Sequence, residues 1–151
     1  MELDNIDRRI LSALLEDGRA SVETVAKKVG LSPTPIRRRI KQLENEGVIK
    51  GYSANIDQAL CGLSLTLHVS INLKSLDQFI RGDFEKRIKS MPEVQRCHLV
   101  TGSSAYFVVL KLKDINYYNH YLRTVIAQLP GVSGITTQVV IDTIKDKIEI
   151  Q

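Results

Sequence analysis

The sequence predicts an α+β chain of two domains. The first is a helix-turn-helix domain, winged-helix-like, over residues 1–54. The second is a ferredoxin-like βαββαβ domain over residues 63–151, reached through a linker at 55–62. Three observations carry this. Apolar residues recur at helical spacing before about residue 60. From Leu63 the period switches to two. The elements that follow read strand, helix, strand, strand, helix, strand, which is the split βαβ order.

The first helix rests on Leu3, Ile6, Ile10 and Leu14. Asp4 and Asp7 sit near its start, where the helix dipole favours acids. Gly18 is the expected stop. Ser21 stands as N-cap before a second run, Val22 to Val29, with Val25, Ala26 and Val29 on one face. Gly30-Leu31-Ser32 breaks the chain. Ser32-Pro33 then opens a third helix, with Ser as N-cap and Pro at the first helical position, where its missing N–H costs nothing. Ile36, Ile40 and Leu43 make its buried stripe, and Gly47 closes it. Val48 to Ile56 reads as a short extended segment.

In the second half, Leu63, Leu65, Leu67, Val69, Ile71 and Leu73 alternate without error against Ser64, Thr66, His68, Ser70, Asn72 and Lys74. This is a strand with one buried face. Leu76 to Met91 suits a helix over about 76–90, stopped by Pro92. Val94 to Thr101 is a strand, Gly102-Ser103-Ser104 a turn, and Tyr106 to Leu112 a second strand. Ile115, Tyr118, Leu122, Val125 and Leu129 mark a helix ended by Pro130-Gly131. A last strand runs from Gly134 to Ile144.

Composition sets the bounds. The chain has 151 residues, a net charge of +4, two Cys and no Trp. That suffices for a hydrophobic core without disulfide or metal. The longest uncharged run, Thr124 to Ile141, is interrupted by Gln, Pro, Gly and Thr, so no membrane span is expected. No signal peptide is visible, so a cytoplasmic location with reduced Cys61 and Cys97 is the default. Residues 1–60 hold ten Lys/Arg against nine Asp/Glu, and the rest eleven against eight. The total charge therefore says little, and its placement decides.

Between Glu23 and Glu44 lie Lys27, Lys28, Arg37, Arg38, Arg39 and Lys41, with no acid. With Ile36, Ile40 and Leu43 inward, 100° steps place Thr34, Arg38 and Lys41 on the opposite face of the third helix. Arg37 lies on one flank. Arg39 lies nearer the core, with two readings: a phosphate contact, or a buttress paired with a local acid. A basic helix face alone is often only a solvated surface. On the second helix of a helix-turn-helix it points to double-stranded DNA, where cations neutralise phosphates and Arg reads guanine edges.

Four segments in this half carry a family resemblance: Asn5 to Leu11, Val29 to Pro35, Arg39 to Glu44 and Gly47 to Tyr52. Cys97 to Gly102 and Leu129 to Val132 add to it in the second half. Over nearly its whole length the chain resembles the Lrp/AsnC (feast/famine) transcription regulators. The resemblance implies a sequence-specific regulator that dimerises through the αβ domain, assembles further to octamers, and answers to an amino acid or related metabolite. It implies DNA contacts at Ser32, Thr34, Pro35, Arg37, Arg38, Arg39 and Lys41. It also implies an effector site at Thr101, Gly102, Ser103, Ser104 and Ala105, with Thr136 and Thr137. Turn N–H groups and hydroxyls there suit a carboxylate. The turn departs from the family in one respect. Many relatives carry Asp in it, suited to an α-ammonium group, whereas here it reads Gly102-Ser103-Ser104-Ala105-Tyr106, with no acid.

Other chemistry has no support. Cys97-His98, His68, His120 and Cys61 lie on separate elements and make no metal set. No nucleophile–base spacing, phosphate loop or dinucleotide fingerprint is present, so neither an enzyme nor a cofactor is expected. Tyr106 and Phe107 point to opposite faces of their strand, which argues against an RNA-stacking platform. Tyr118 fits the buried stripe of its helix, with Tyr117, His120 and Tyr121 expected at an interface or solvent. A nucleoid-associated architectural protein that wraps DNA with little sequence preference is the alternative, since it shares the same fold.

Overall fold

The computed structural model describes residues 2–146 and 149–150. The chain divides into two compact units: Met1–Ile56 with Ile144–Gln151, and Asp57–Thr143.

In the first unit, α1 (Asn5–Glu16) opens on a reciprocal cap. The Asp7 amide donates to Asp4 Oδ1 at 2.8 Å, and the Asp4 amide donates back to Asp7 Oδ2 at 3.2 Å. Two orphan N–H groups are thereby satisfied. The helix stops at Glu16 because Asp17 adopts an extended backbone, so Gly18 is not the terminator. α2 (Val22–Val29) is capped by Ser21, whose hydroxyl accepts from the Thr24 amide at 3.1 Å. It ends on Gly30 at φ +74°, where an L side chain would be strained. α3 (Pro33–Asn45) follows after two residues. Ile10, Val25, Ile36 and Leu43 are fully buried at the junction of the three helices, and Ala26 lets α2 approach closely.

Residues 48–56 form no paired strand. The Val48 and Ile49 amides instead return to the Leu43 carbonyl at 2.9 and 3.0 Å, closing the end of α3. The chain past Thr143 also differs from expectation. Ile150 packs against the helical core, as Leu3, Ile6 and Leu14 also do. The period-two signal could not show this, because an apolar residue after a strand says nothing of which core receives it.

The second unit is a four-stranded antiparallel sheet in the order β2-β3-β1-β4. Its elements are β1 (Leu65–Leu73), α4 (Gln78–Lys89), β2 (Val94–Leu99), β3 (Tyr106–Leu112), α5 (Ile115–Thr124) and β4 (Val132–Val139). Leu67, Val69 and Ile71 from β1, with Tyr106, Val108, Leu110 and Leu112 from β3, bury one face under Phe84 and Ile88 of α4 and Tyr118 and Tyr121 of α5. Tyr121 is therefore core, against expectation. Its hydroxyl reaches a partner, donating to Glu93 Oε2 at 3.0 Å, which makes its burial tolerable. The other face stays open. It carries His68 and Phe107, whose rings meet edge to face at 5.0 Å.

β4 ends at Val139 rather than Ile144. Its partner β1 begins at Leu65, and the Val140 amide makes one last bond to the Thr66 carbonyl at 3.0 Å before partner backbone runs out. Gly131, at φ +72°, leads into β4 against Ile80 of α4. A Cβ there would overlap the Ile80 Cγ2. Among the described residues no helix is long and apolar enough to cross a membrane.

Candidate nucleic-acid and effector sites

Gly30 and the two residues after it set α3 against α2, and the burial of Ile36 and Leu43 fixes its rotation. Thr34, Arg38 and Lys41 are all exposed on its outer face. The helix start is unusual. Ser32 makes no side-chain cap bond, and Pro33 and Pro35 lack N–H groups, so Thr34 and Ile36 carry the only amides of the first four helical positions. The Ser32 hydroxyl and the Thr34 amide thus stand available at the positive end of the helix dipole. Pro35 is half-buried.

The six cations of the acid-free stretch do not behave alike. Lys28 Nζ pairs with Glu16 Oε2 at 2.7 Å. Arg37 Nη2 lies 3.6 Å from Glu23 Oε1, both widely exposed, which is a weak and screened contact. Arg39 Nη1 donates to Asp4 Oδ2 at 2.7 Å and to Asp7 Oδ1 at 2.8 Å. Its side chain is 26% exposed, and that of Asp7 is 9% exposed. The bonds from Asp7 and then Asp4 raise the guanidinium pKa above its ordinary value. Arg39 thus pairs with local acids and ties α3 to the first turn of α1. Lys27, Arg38 and Lys41 form no ion pair among the described residues. The sequence could not separate these groups, because the acids that bind Lys28 and Arg39 lie 12 to 35 positions away.

In the second unit, the turn after β2 exposes Thr101, Gly102 and Ser103, with Ser104 and Ala105 half-buried. Asn72 of β1, which the sequence reading passed over as an outward strand residue, organises this turn. Its Nδ2 donates to the Ser103 carbonyl at 3.2 Å, and its Oδ1 accepts from the Ala105 amide at 3.0 Å. Across the sheet Asn72 faces Gly134 of β4, and Thr136 lies opposite Ser70 two positions along. Asn72 and Thr136 thus share the open face beside the turn. Thr137 does not join them. It projects toward the helices, where its hydroxyl and that of Tyr118 share a hydrogen bond. Among the described residues no carboxylate bonds to this turn.

Comparison with known proteins settles the family. Residues 3–44 match the AsnC-type helix-turn-helix domain, and residues 66–150 match the Lrp/AsnC ligand binding domain. The chain belongs to the Lrp/AsnC family of transcriptional regulators. Among its Lrp/AsnC relatives, the leucine-responsive regulatory protein of Klebsiella pneumoniae is 37% identical over 144 residues, covering 95% of this chain and 88% of the relative. A Neisseria meningitidis transcriptional regulator solved in complex with L-Met superposes with a TM-score of 0.94 at 29% identity, covering 99% of this chain and 97% of the other. An AsnC family regulator from Agrobacterium tumefaciens superposes at 0.91 with 31% identity and the same coverage. An Lrp/AsnC chain is thus a transcriptional regulator with a DNA-binding helical unit and a ligand-binding αβ unit.

Proposed function

We propose that α3 enters the major groove of operator DNA as the recognition helix. Arg38 and Thr34 face base edges, while Lys41, Arg37, Ser32 and Pro35 lie along the phosphate backbone. The carrying observation is that Arg38 and Lys41 stand exposed without ion partners among the described residues, while Arg39 is held internally by Asp4 and Asp7. An unpaired Arg on the outer face is free to make a bidentate bond to guanine. Two such helices in a dimer would read half-sites about 34 Å apart, or a multiple of that. The open sheet face with His68 and Phe107 is the surface we assign to dimer packing, with assembly to octamers beyond it. The protein works in the cytoplasm at the nucleoid.

The second unit takes a small amino acid at the turn Thr101 to Ala105, with Asn72 and Thr136. Support comes from the backbone and hydroxyl donors gathered there and from the L-Met bound by the meningococcal neighbour. Operator binding by Arg38→Ala tests the first half at fixed salt. Loss of preference for the operator over scrambled DNA is the expected result. Equal, weak preference in both wild type and variant would favour the architectural alternative. Calorimetry with L-methionine and L-leucine, on wild type and Asn72→Ala, tests the second half.

A further inference from the structure

The turn described above supplies donors for a carboxylate but no acid for an ammonium group. A groove elsewhere in the same unit supplies both. It has a volume of about 400 Å³ and lies between α4 and β2, which is an edge strand. That volume falls in the range of small-ligand sites, roughly 300–1,000 Å³. Ile88, Val94, Cys97 and Leu99 give it an apolar lining. The register sets their direction: Cys97 opposes Val108 and Leu99 opposes Tyr106, so both face the helices.

Its polar lining comes from Glu85 and Lys89 on one turn of α4 and from Gln95 and Arg96 of β2. Glu85 and Lys89 are four residues apart, and side chains at that spacing lie about 5–6 Å apart at Cβ. They form no ion pair with each other among the described residues. Among the described residues Glu85 is held by its first oxygen: Oε1 accepts from the Tyr106 hydroxyl at 2.7 Å and lies 3.4 Å from Arg81 Nε. Oε2 has no bond among the described residues and can take another donor. Lys89 is exposed and forms no ion pair among the described residues. A fixed carboxylate, a free ammonium one helical turn away and an apolar wall match the three parts of one molecule.

We infer that this groove binds an apolar α-amino acid, its ammonium on Glu85 Oε2, its carboxylate on Lys89 Nζ and its side chain against Ile88, Val94 and Leu99. The inference rests on the reading of the second unit as amino-acid-binding and adds a second site to the one at the turn.

Cys97 gives a direct readout, since a ligand in the groove covers its thiol. Burial, and then the charge of Glu85, push that thiol up from its ordinary range, so labelling with a maleimide is run at mildly alkaline pH. Cys61 is exposed and is removed as Cys61→Ser in the full chain. With L-leucine or L-methionine at ten times the calorimetric Kd, about one site in ten stays free, so Cys97 labelling slows about tenfold. Isopentylamine, without the carboxylate, and 4-methyl-2-oxopentanoate, without the ammonium, give no such protection at the same concentration. Lys89→Gln weakens protection about tenfold through loss of a charge-assisted bond, and it removes no contact that the fold needs. Asn72→Ala leaves protection intact.

Calorimetric binding without Cys97 protection overturns the groove and leaves the turn site standing, and so does protection lost in Asn72→Ala but not in Lys89→Gln. Equal protection by the amine or the oxo acid overturns the zwitterion assignment. Absence of calorimetric binding by either amino acid sinks the groove and the amino-acid reading together.

Discussion

Replacing Arg39 with Met separates a structural cation from a DNA-binding one. In the folded chain Arg39 satisfies two carboxylates through Nη1, and Asp7 is almost wholly withdrawn from water. Met keeps the length and the apolar stem but leaves Asp7 without its cation. Removing one partner of a fully buried pair costs about 3–5 kcal/mol, whereas a surface pair contributes about 0–1. Arg39 is a quarter exposed and Asp4 half exposed, so solvent screens part of the loss. The reciprocal cap between Asp4 and Asp7 also continues to hold Asp7. We therefore expect the helical unit to lose about 2 kcal/mol, midway between those limits. Urea unfolding followed by far-UV circular dichroism measures it.

The second readout is the salt dependence of DNA binding. Each phosphate contact contributes about −0.9 to the slope of log K against log salt. Arg39→Met should leave that slope at the wild-type value, while Lys41→Ala should reduce its magnitude by about 0.9. A variant that unfolds at the wild-type urea concentration but loses about one unit of slope would refute the buttress and put Arg39 on the DNA.

Three further outcomes are expected. Arg38→Ala should cost about 1–3 kcal/mol of operator affinity and flatten discrimination at one base position, as read by competition against single-base operator variants. Gly131→Ala should destabilise the αβ unit by more than about 1 kcal/mol, since positive φ and the overlap with Ile80 act together; thermal unfolding reports it. Acid should weaken the tie between α1 and α3. The Asp7 amide, and then Arg39, hold the Asp4 carboxyl below its ordinary value of 3.8. Its contribution is therefore complete above that value and is lost as pH falls through the lower folded one. Arg39→Met, which removes part of that shift, should show a shallower loss of stability over the same acid range.

Local rules made most of the elements readable in the sequence, and long-range ones hid the rest. The alternation from Leu63 to Lys74 placed β1 and its buried face because period two has one meaning over twelve residues. The stripe of Ile36, Ile40 and Leu43 fixed the outward face of α3 for the same reason. Strand ends were misplaced where they depend on a partner. Val139 stops β4 because β1 supplies no more backbone, and nothing in residues 140–144 signals that. The roles of Arg39, Asn72 and Thr137 were equally hidden. Arg39 meets acids more than thirty residues away, Asn72 clamps a turn on another strand, and Thr137 is turned from Thr136 by the pleat alone.

The place of Ile150 has a consequence for how the protein is made. The helical core of Ile10, Val25 and Ile36 packs a residue that follows the whole of Asp57–Thr143 in the chain. As the polypeptide leaves the ribosome, residues 1–56 emerge first but lack that last apolar contact until the entire αβ unit has been synthesised. The DNA-reading unit therefore reaches its full packing only in chains that already carry their ligand-binding unit. A nascent chain halted within that unit presents the helical core without the cover of Ile150.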